Sequence, residues 1–531
     1  MRTFTRRDSL GMILAFAATG CKGASGAGVT PTSVGVTPTS VQPPLPPSGT
    51  VFTPEAYGAT GGADDTKAFQ ALAAAVNANG GGTIEFMAGR TYHVGRQTFG
   101  PARMSGRFIK WTGIPEPLIE LKNCTQPITI KGNGAIIEVN PGKYGTFDQN
   151  GVRRDQPTPY YGEGISAYYV HVIDVESCSG FFDCRDLTID GNIDQAIVGG
   201  EWGDVGRQLG GNGISIRHHT GGWHLQNLNM HHHTSDPLQV WGAAVDANSP
   251  MENGRAVNCQ FTHSGRLGAA IVGGRGFSFE HCKFNYNGTP LGNPHIISAP
   301  ASGVDIEAEG GRINRDHRFS YCEFIGNGYT QFVADQGPSS HITLEHCLFV
   351  STNAASAVVW PNKPYIKFKH CTLAGTVISP FINSAAPAEN CTFDDCLFTN
   401  DGARSPTGTV GTNNNNGMLF NLSNGNGLVL TRCRLEHTTP TAPAPFSAVP
   451  NAPALVDCTI YARNNGYPLV TGVFSGRTEF IEERGAIIQA VPGGGSGSGE
   501  FGVSKVNAGP AYGPWIYTRN GVPTTYPATT A

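Results

Sequence analysis

The hydrophobic positions along most of the chain recur in a fixed motif, not in helical stripes or hairpin pairs. The pattern apolar-x-x-Cys-x-apolar appears as AVNCQF, FEHCKF, FSYCEF, LEHCLF, FKHCTL, FDDCLF, LTRCRL and LVDCTI, with cysteines at Cys259, Cys282, Cys322, Cys347, Cys371, Cys396, Cys433 and Cys458. Successive intervals are 23, 40, 25, 24, 25, 37 and 25 residues, so one unit is about 24 residues and two units carry insertions of roughly a dozen or more. Each unit holds two or three short strands divided by turns such as NYNG, IGNG and NNNNG. That is too short for a helical repeat and lacks the two-residue hairpin turn of antiparallel sheets. The pattern predicts stacked parallel coils over residues 96–490, with earlier coils visible around Cys184 and from Trp223 to Met230.

A different pattern precedes the coils, over residues 51–95. Asp64 is placed to cap a helix in which Phe69, Leu72 and Val76 share one face, and Gly80-Gly81-Gly82 ends it before the strand Thr83-Ile84-Glu85-Phe86. The string YGATGGADDTKAFQALAAAVNANGGGTIEFMAGRTYHV resembles the N-terminal cap of pectate-lyase-like right-handed parallel β-helices. The resemblance implies an all-β fold, a right-handed parallel β-helix with a short capping helix laid over the open apolar end of its first coil.

Composition agrees: 71 glycines, 36 prolines and only 14% charged residues exclude a helical bundle. Thirty-six basic against 40 acidic residues give a net charge of -4 with no basic stripe, so nucleic acid is not an expected partner. In residues 1–21, MRTFTRRDSLGMILAFAATGC, Arg6-Arg7 precedes an apolar run too short to span a bilayer. This reads as an export signal and resembles a twin-arginine leader ending in a lipobox with Cys21 as the acylated residue. A Ser/Thr/Pro-rich linker over 22–50 would hold the body off a membrane surface. The expected location is therefore periplasmic or cell-surface, with the membrane touched only through a lipid on Cys21. Residues 491–531 form a Gly/Ser linker and a tail of unassigned role.

Thirteen cysteines in an exported chain invite disulfides. Cysteines at one position of successive coils, however, lie about 4.8 Å apart with parallel side chains, which suits a buried column of thiols better than pairing. No Cys-x-x-Cys pair occurs, so a cysteine metal site is not expected.

Chemistry must come from outward-facing residues, because the inside of such a solenoid is filled. With Ile214, Ile216, Leu238, Val240, Val304 and Ile306 turned inward, alternation turns Ser215, Arg217, Gln239, Trp241, Asp305 and Glu307 outward, and Asp335 one coil later. Asp305 and Glu307 lie about 6.6 Å apart at strand rise, with the Asp335 coil about 4.8 Å further on. Like charges that close raise one another's proton affinity, as an acid–base pair requires. The insertion GTPLGNPHIISAP just before that strand is placed to wall a groove. The leading expectation is a glycoside hydrolase: Glu307 as general acid, Asp305 activating water, Asp335 tuning both, and Arg217, Trp241, Arg266, His233, Asp236 and Gln239 holding a polysaccharide.

Two alternatives stand beside it. One is a uronate-acting lyase in which Asp305, Glu307 and Glu309 hold calcium while Arg266, Arg217 or a histidine takes the C5 proton. The other is a glycan-binding surface protein without chemistry. The hydrolase needs no cofactor. The run His231-His232-His233 with Asp236 suggests a metal, but neighbours on a strand point to opposite faces, so no metal is assigned there. The superfamily that the cap resembles includes polygalacturonase-type hydrolases, pectate and alginate lyases, epimerases and adhesins, and their diagnostic strings are absent here.

Overall fold

The computed structural model describes residues 49–96, 103–105, 108–110, 117–148, 171–199, 211–289, 299–411, 417–422, 427–438, 453–463, 469–483, 489–492, 515–519 and 522–526. The export signal with Cys21, nearly all of the 22–50 linker, the middle of the inserted loop and the Gly/Ser stretch lie outside the described residues.

Each unit winds through up to three strands, and each strand pairs in parallel with its equivalent in the next unit. One coil contributes Val304–Glu307, Asn314–Ser320 and Glu323–Ile325, and the next contributes Thr330–Gln336, Ser339–Glu345 and Leu348–Val350. Val304 pairs with Phe332, Phe319 with Leu344 and Phe324 with Phe349. Like therefore sits on like. The rings of Phe261, Phe284, Phe324 and Phe349 follow one another at 5.1, 5.0 and 4.6 Å, in a core where all four are buried.

The cysteine motif has a geometric cause. The residue before each cysteine takes a left-handed backbone, with φ of 52° at His281, 54° at Tyr321, 53° at His346 and 51° at His370. That costs about 1–2 kcal/mol for a residue with a Cβ, and it turns the chain so that the apolar residue three before the cysteine, the cysteine itself and the apolar residue two after it all face inward. Each thiol then donates to nearby carbonyls: Cys371 Sγ reaches Lys369 O at 3.2 Å and Leu344 O of the preceding coil at 3.4 Å. All twelve described cysteines are buried and free, and burial pushes the Cys184 and Cys371 thiols well above their ordinary range.

The ends are closed differently. The helix Thr66–Asn79 buries Phe69, Leu72 and Val76 and stops at Gly80, whose φ of 75° supplies the left-handed cap. Asp65, not Asp64, is the N-cap. Its carboxylate accepts from the Thr60 and Gly61 amides, which ties down the glycine turn, while Asp64 accepts from the Thr66 amide and hydroxyl. At the other end the tail adds Trp515–Arg519, parallel to Glu479–Glu483, and Val522–Tyr526 returns antiparallel to it.

Because the thiols are free and interior, titration of the denatured protein without reductant should recover all twelve described cysteines, while the native protein should react at none of them within minutes. Recovery of only a few after denaturation would show that the coils are stapled by disulfides.

Candidate functional site

One face of the solenoid is a parallel sheet that includes Ile119–Lys122, His171–Glu176, Asn212–Arg217, Leu238–Trp241, Ala269–Arg275, Val304–Glu307, Thr330–Gln336 and Ala357–Pro361. Register aligns its outward residues in columns. The first runs Glu120, Asp174, Ser215, Gln239, Ala270, Asp305, Val333 and Trp360, and the second begins Lys122, Glu176, Arg217, Trp241. The expected inward set is buried throughout.

Two departures from this regularity build a cleft. Ala270 occupies the column between Gln239 and Asp305, so a methyl group stands where its neighbours project long side chains. The Thr330–Gln336 strand carries an extra residue: Asp305 pairs with Val333, but Glu307 pairs with Gln336. This bulge moves Asp335 out of line, correcting the simple one-step placement, although it still acts electrostatically on Asp305 and Glu307. The resulting cleft, about 320 Å³ counted to its open mouth, is lined by Gln239, Trp241, Arg266, Ala270, Val272 and the acids Asp305, Glu307 and Glu309, with Ile271 beneath. Leu267, Ala270 and Val272 pack with Trp241 as an apolar floor outside the main core.

The strand bearing the acids is held at its root. A Cβ on Gly268 or Gly303 would lie 2.5 Å from the carbonyl oxygen of Gly303 or Gln331 in the next coil, so only glycine permits this approach. Beside them runs a relay in which the Ser264 amide donates to Asn287 Oδ1 at 3.1 Å, the Asn287 amide to Asn327 Oδ1 at 2.8 Å, and the Asn327 amide to Gln331 Oε1 at 2.9 Å. Asn287 of the NYNG turn and Asn327 of the IGNG turn are members of this relay.

Burial sets the electrostatics. Asp305 is 5% exposed, and among the described residues its Oδ1 has no hydrogen-bond partner. Desolvation first, and then Glu307, hold its carboxyl well above the usual range. Glu307 is half-buried and shifted up by burial and by Glu309, with Arg266 and the Asp305 side chain opposing. Burial also raises Asp335, against the pull of Lys363. Beneath the acids, Arg266 Nη1 donates to Asp236 Oδ2 at 2.9 Å, with the two side chains 8% and 0% exposed, and Arg266 Nε donates to Ala299 O at the end of the inserted loop.

The residues singled out in the sequence divide accordingly. Asp305, Glu307, Glu309, Gln239, Trp241 and Arg266 line one cleft. His233 and Asp236 do not reach it: both are fully buried, His233 because Gly191 and Gly213 leave room for its ring, and Asp236 because it is the counterion of Arg266. Arg217 is held by Asp174 at 2.9 and 2.5 Å and by Glu176 at 3.2 Å, away from the lining. Trp241 has the Arg312 guanidinium 5.2 Å over its ring, so one face is already covered. Sequence parity alone pointed to neither Ala270 nor Arg312. An alanine opposite Gln239 and Asp305 was the available signal for the cleft.

Residues 172–377 match the family described as "Right handed beta helix region", so these coils are those of a right-handed parallel β-helix. No curated protein matches the sequence. Among solved structures, the chain is similar to the A-module of the mannuronan C-5 epimerase AlgE4 from Azotobacter vinelandii, at 12% identity and TM-score 0.42 over 83% of this chain and 96% of that one. It is also similar to PfbA, a surface adhesin of Streptococcus pneumoniae, at 13% identity and TM-score 0.41 over 90% and 100%. A third is a tailspike protein mutant of E. coli bacteriophage HK620 in complex with a pentasaccharide, at 12% identity and TM-score 0.40 over 82% and 75%. An epimerase, an adhesin and a tailspike share no single chemistry, and a fold does not assign one.

The buried pair and the buried acid each make a measurable difference. Asp236→Ala leaves the Arg266 charge uncompensated and should cost about 3–5 kcal/mol in denaturant unfolding; a loss under 1 kcal/mol would mean that Arg266 is neutralised by Asp305 instead. Asp305 has its folded proton affinity raised, so its contribution to stability is full below the unfolded carboxyl value of about 4 and is lost as pH rises through the folded value. The melting temperature of Asp305→Asn relative to the parent should therefore increase steadily from pH 4 to pH 8. A constant difference would show that Asp305 ionises normally.

Proposed function

We propose that the cleft hydrolyses a glycosidic bond in a neutral or cationic polysaccharide. The observation that carries this reading is the pairing of a buried, proton-retaining carboxyl, Asp305, with a less buried one, Glu307, on one strand face over an apolar floor. Burial exchanges the roles expected from the sequence. Asp305 is the general acid that passes its proton to the glycosidic oxygen as the bond to the anomeric carbon breaks. Glu307 is the base that takes a proton from the attacking water, and Asp335 adds to the field that keeps Asp305 protonated. Gln239 offers a neutral polar group, and Ala270 and Val272, packed on Leu267, line the cleft with apolar surface for a sugar ring.

Charge argues against the uronate lyase. Four carboxyls, Asp305, Glu307, Glu309 and Asp335, gather near one cleft arginine, and that arginine is already paired with Asp236. A guanidinium does not give up a proton at ordinary pH, so neither Arg266 nor Arg217 serves as a base. Among the described residues, the groups bringing three ligand atoms within 4.8 Å are Asp190, His231 and His232, and Glu120, Asp174 and Glu176, not the calcium set Asp305, Glu307 and Glu309. The proposal includes location: an exported enzyme anchored through Cys21.

Assay of neutral, amino and uronic polysaccharides for new reducing ends and for unsaturated ends tests the reading. Hydrolysis yields the first without the second. On a cleaved substrate, Asp305→Asn and Glu307→Gln should each lower kcat by about 10²–10⁴-fold with KM little changed. Glu307→Gln should also remove the acidic limb of the pH profile, which in the parent lies above the ordinary glutamate range because Glu307 is shifted up. Full activity in both variants would place the chemistry elsewhere, and unsaturated ends would establish the lyase.

A further inference from the structure

We propose that Asp190, His231 and His232 form a binding site for a borderline divalent transition ion, zinc or a zinc-like metal, that joins two neighbouring coils. The site stands outside the cleft and rests on different residues.

The backbone explains why three donors meet here. Asp190 ends the strand Phe182–Asp190 and pairs in register with His231, which ends Asn229–His231 in the next coil. Strand alternation would send His231 and His232 to opposite faces, and this excluded a shared metal on sequence grounds. His232, however, occupies the left-handed corner position, with φ of 56°, and the strand ends before it. The two imidazoles therefore converge, with Nδ1 to Nδ1 at 2.6 Å, and His231 Nδ1 lies 3.4 Å from Asp190 Oδ1. One ligand atom from each residue falls within a 4.8 Å set.

The surroundings resemble those of a metal ligand more than those of surface histidines. His232 turns its other nitrogen, Nε2, toward Asp194 Oδ2 at 3.5 Å, the outer carboxylate that orients a ligating imidazole and leaves its inner nitrogen as the donor. The His263 ring of the following coil stacks on His232 at 5.3 Å and 15°, which fixes the ring plane. Two imidazole nitrogens 2.6 Å apart repel unless a cation, a proton or a metal, lies between them. Four-coordinate zinc with bonds of about 2.0–2.1 Å sets its donors roughly 3.3 Å apart, so Asp190 already fits and the imidazoles need open by less than an ångström. The hydrogen between the two rings leaves Nδ1, moving to His231 Nε2 when that ring is neutral, as the metal takes its place. Two imidazoles with one carboxylate suit zinc, copper or nickel, and not calcium. Side-chain exposures of 26% for Asp190, 19% for His231 and 26% for His232 leave a solvent side where water completes the coordination.

The test uses the full chain, stripped with a chelator and titrated with zinc by calorimetry, alongside melting curves. One zinc per folded chain and a melting temperature that rises with zinc concentration are expected. Asp190→Asn, chosen because it preserves shape, should lower affinity at least 100-fold. Asp194→Asn should lower it about 10–100-fold with stoichiometry kept. His346→Asn, in the exposed ring stack elsewhere on the surface, should change nothing. Circular dichroism of each apo variant confirms that binding is measured on folded protein. Cobalt in place of zinc should show ligand-field absorption without a sulfur charge-transfer band. Absence of stoichiometric binding to the parent, unchanged affinity in Asp190→Asn, or a thiolate band placing the metal on the cysteines would each overturn the proposal. None of these readouts involves cleavage, so loss of activity in Glu307→Gln and loss of zinc in Asp190→Asn fail or succeed separately.

Discussion

Parallel pairing at a spacing of about 4.8 Å makes every residue of a coil the neighbour of its equivalent in the coils before and after. The interior can then be filled only by columns whose members tolerate themselves: phenylalanines stacked ring on ring, β-branched residues layered on one another, and thiols that donate to carbonyls of their own and the preceding coil. A slip of one residue would turn each strand's inward set outward. Register is thus specified many times over, and the outward face inherits that order without contributing to it.

The cleft exists because that order is broken in two places and the coils approach closely at its root. Ala270 removes a side chain from the first outward column, the bulge before Gln336 takes Asp335 off axis, and the glycines at 268 and 303 bring adjacent coils together more closely than a Cβ allows. A carboxyl placed where Asp305 stands is cut off from water and faces Glu307, and these two effects raise its proton affinity well above the ordinary range against the opposing charge of Arg266. Packing therefore sets the proton affinity of Asp305, and Glu307 is the carboxyl left nearer to solvent.

The sequence disclosed those parts that repeat and withheld those that depend on a single backbone torsion. The period, the thiol column, the capping helix and the outward parity of Ser215, Gln239, Trp241, Asp305 and Glu307 all followed from spacing, because the solenoid translates spacing directly into position. The cleft was half legible: its acids, Gln239, Trp241 and Arg266 do line one cleft, but how deeply Asp305 and Glu307 are buried is a matter of packing, which alternation does not encode. His233 and Asp236 were misplaced because they lie in a corner between sheets, where the two-residue rule has no force. Arg217 faces outward as expected, yet its partner, Asp174, is a residue that only register across 43 positions brings beside it.

The same corner brings together side chains that a strand would keep apart. Along a strand, a residue shares its face only with residues two away or one coil away, so its immediate sequence neighbours do not join it. A left-handed residue at a corner lifts that restriction, as at His232, where sequence neighbours and a residue of the preceding coil meet at one point. Because each coil contacts only its neighbours, such a group can join two coils while the acids of the cleft, on Val304–Glu307, stand further along the axis. The corner residues before the cysteines take the same backbone conformation at His281, Tyr321, His346 and His370, yet their rings stack along the axis at 5.1, 4.8 and 4.7 Å and fill one another's faces. At His232 the ring does both: it stacks on His263 of the next coil and turns Nδ1 toward its strand neighbour His231.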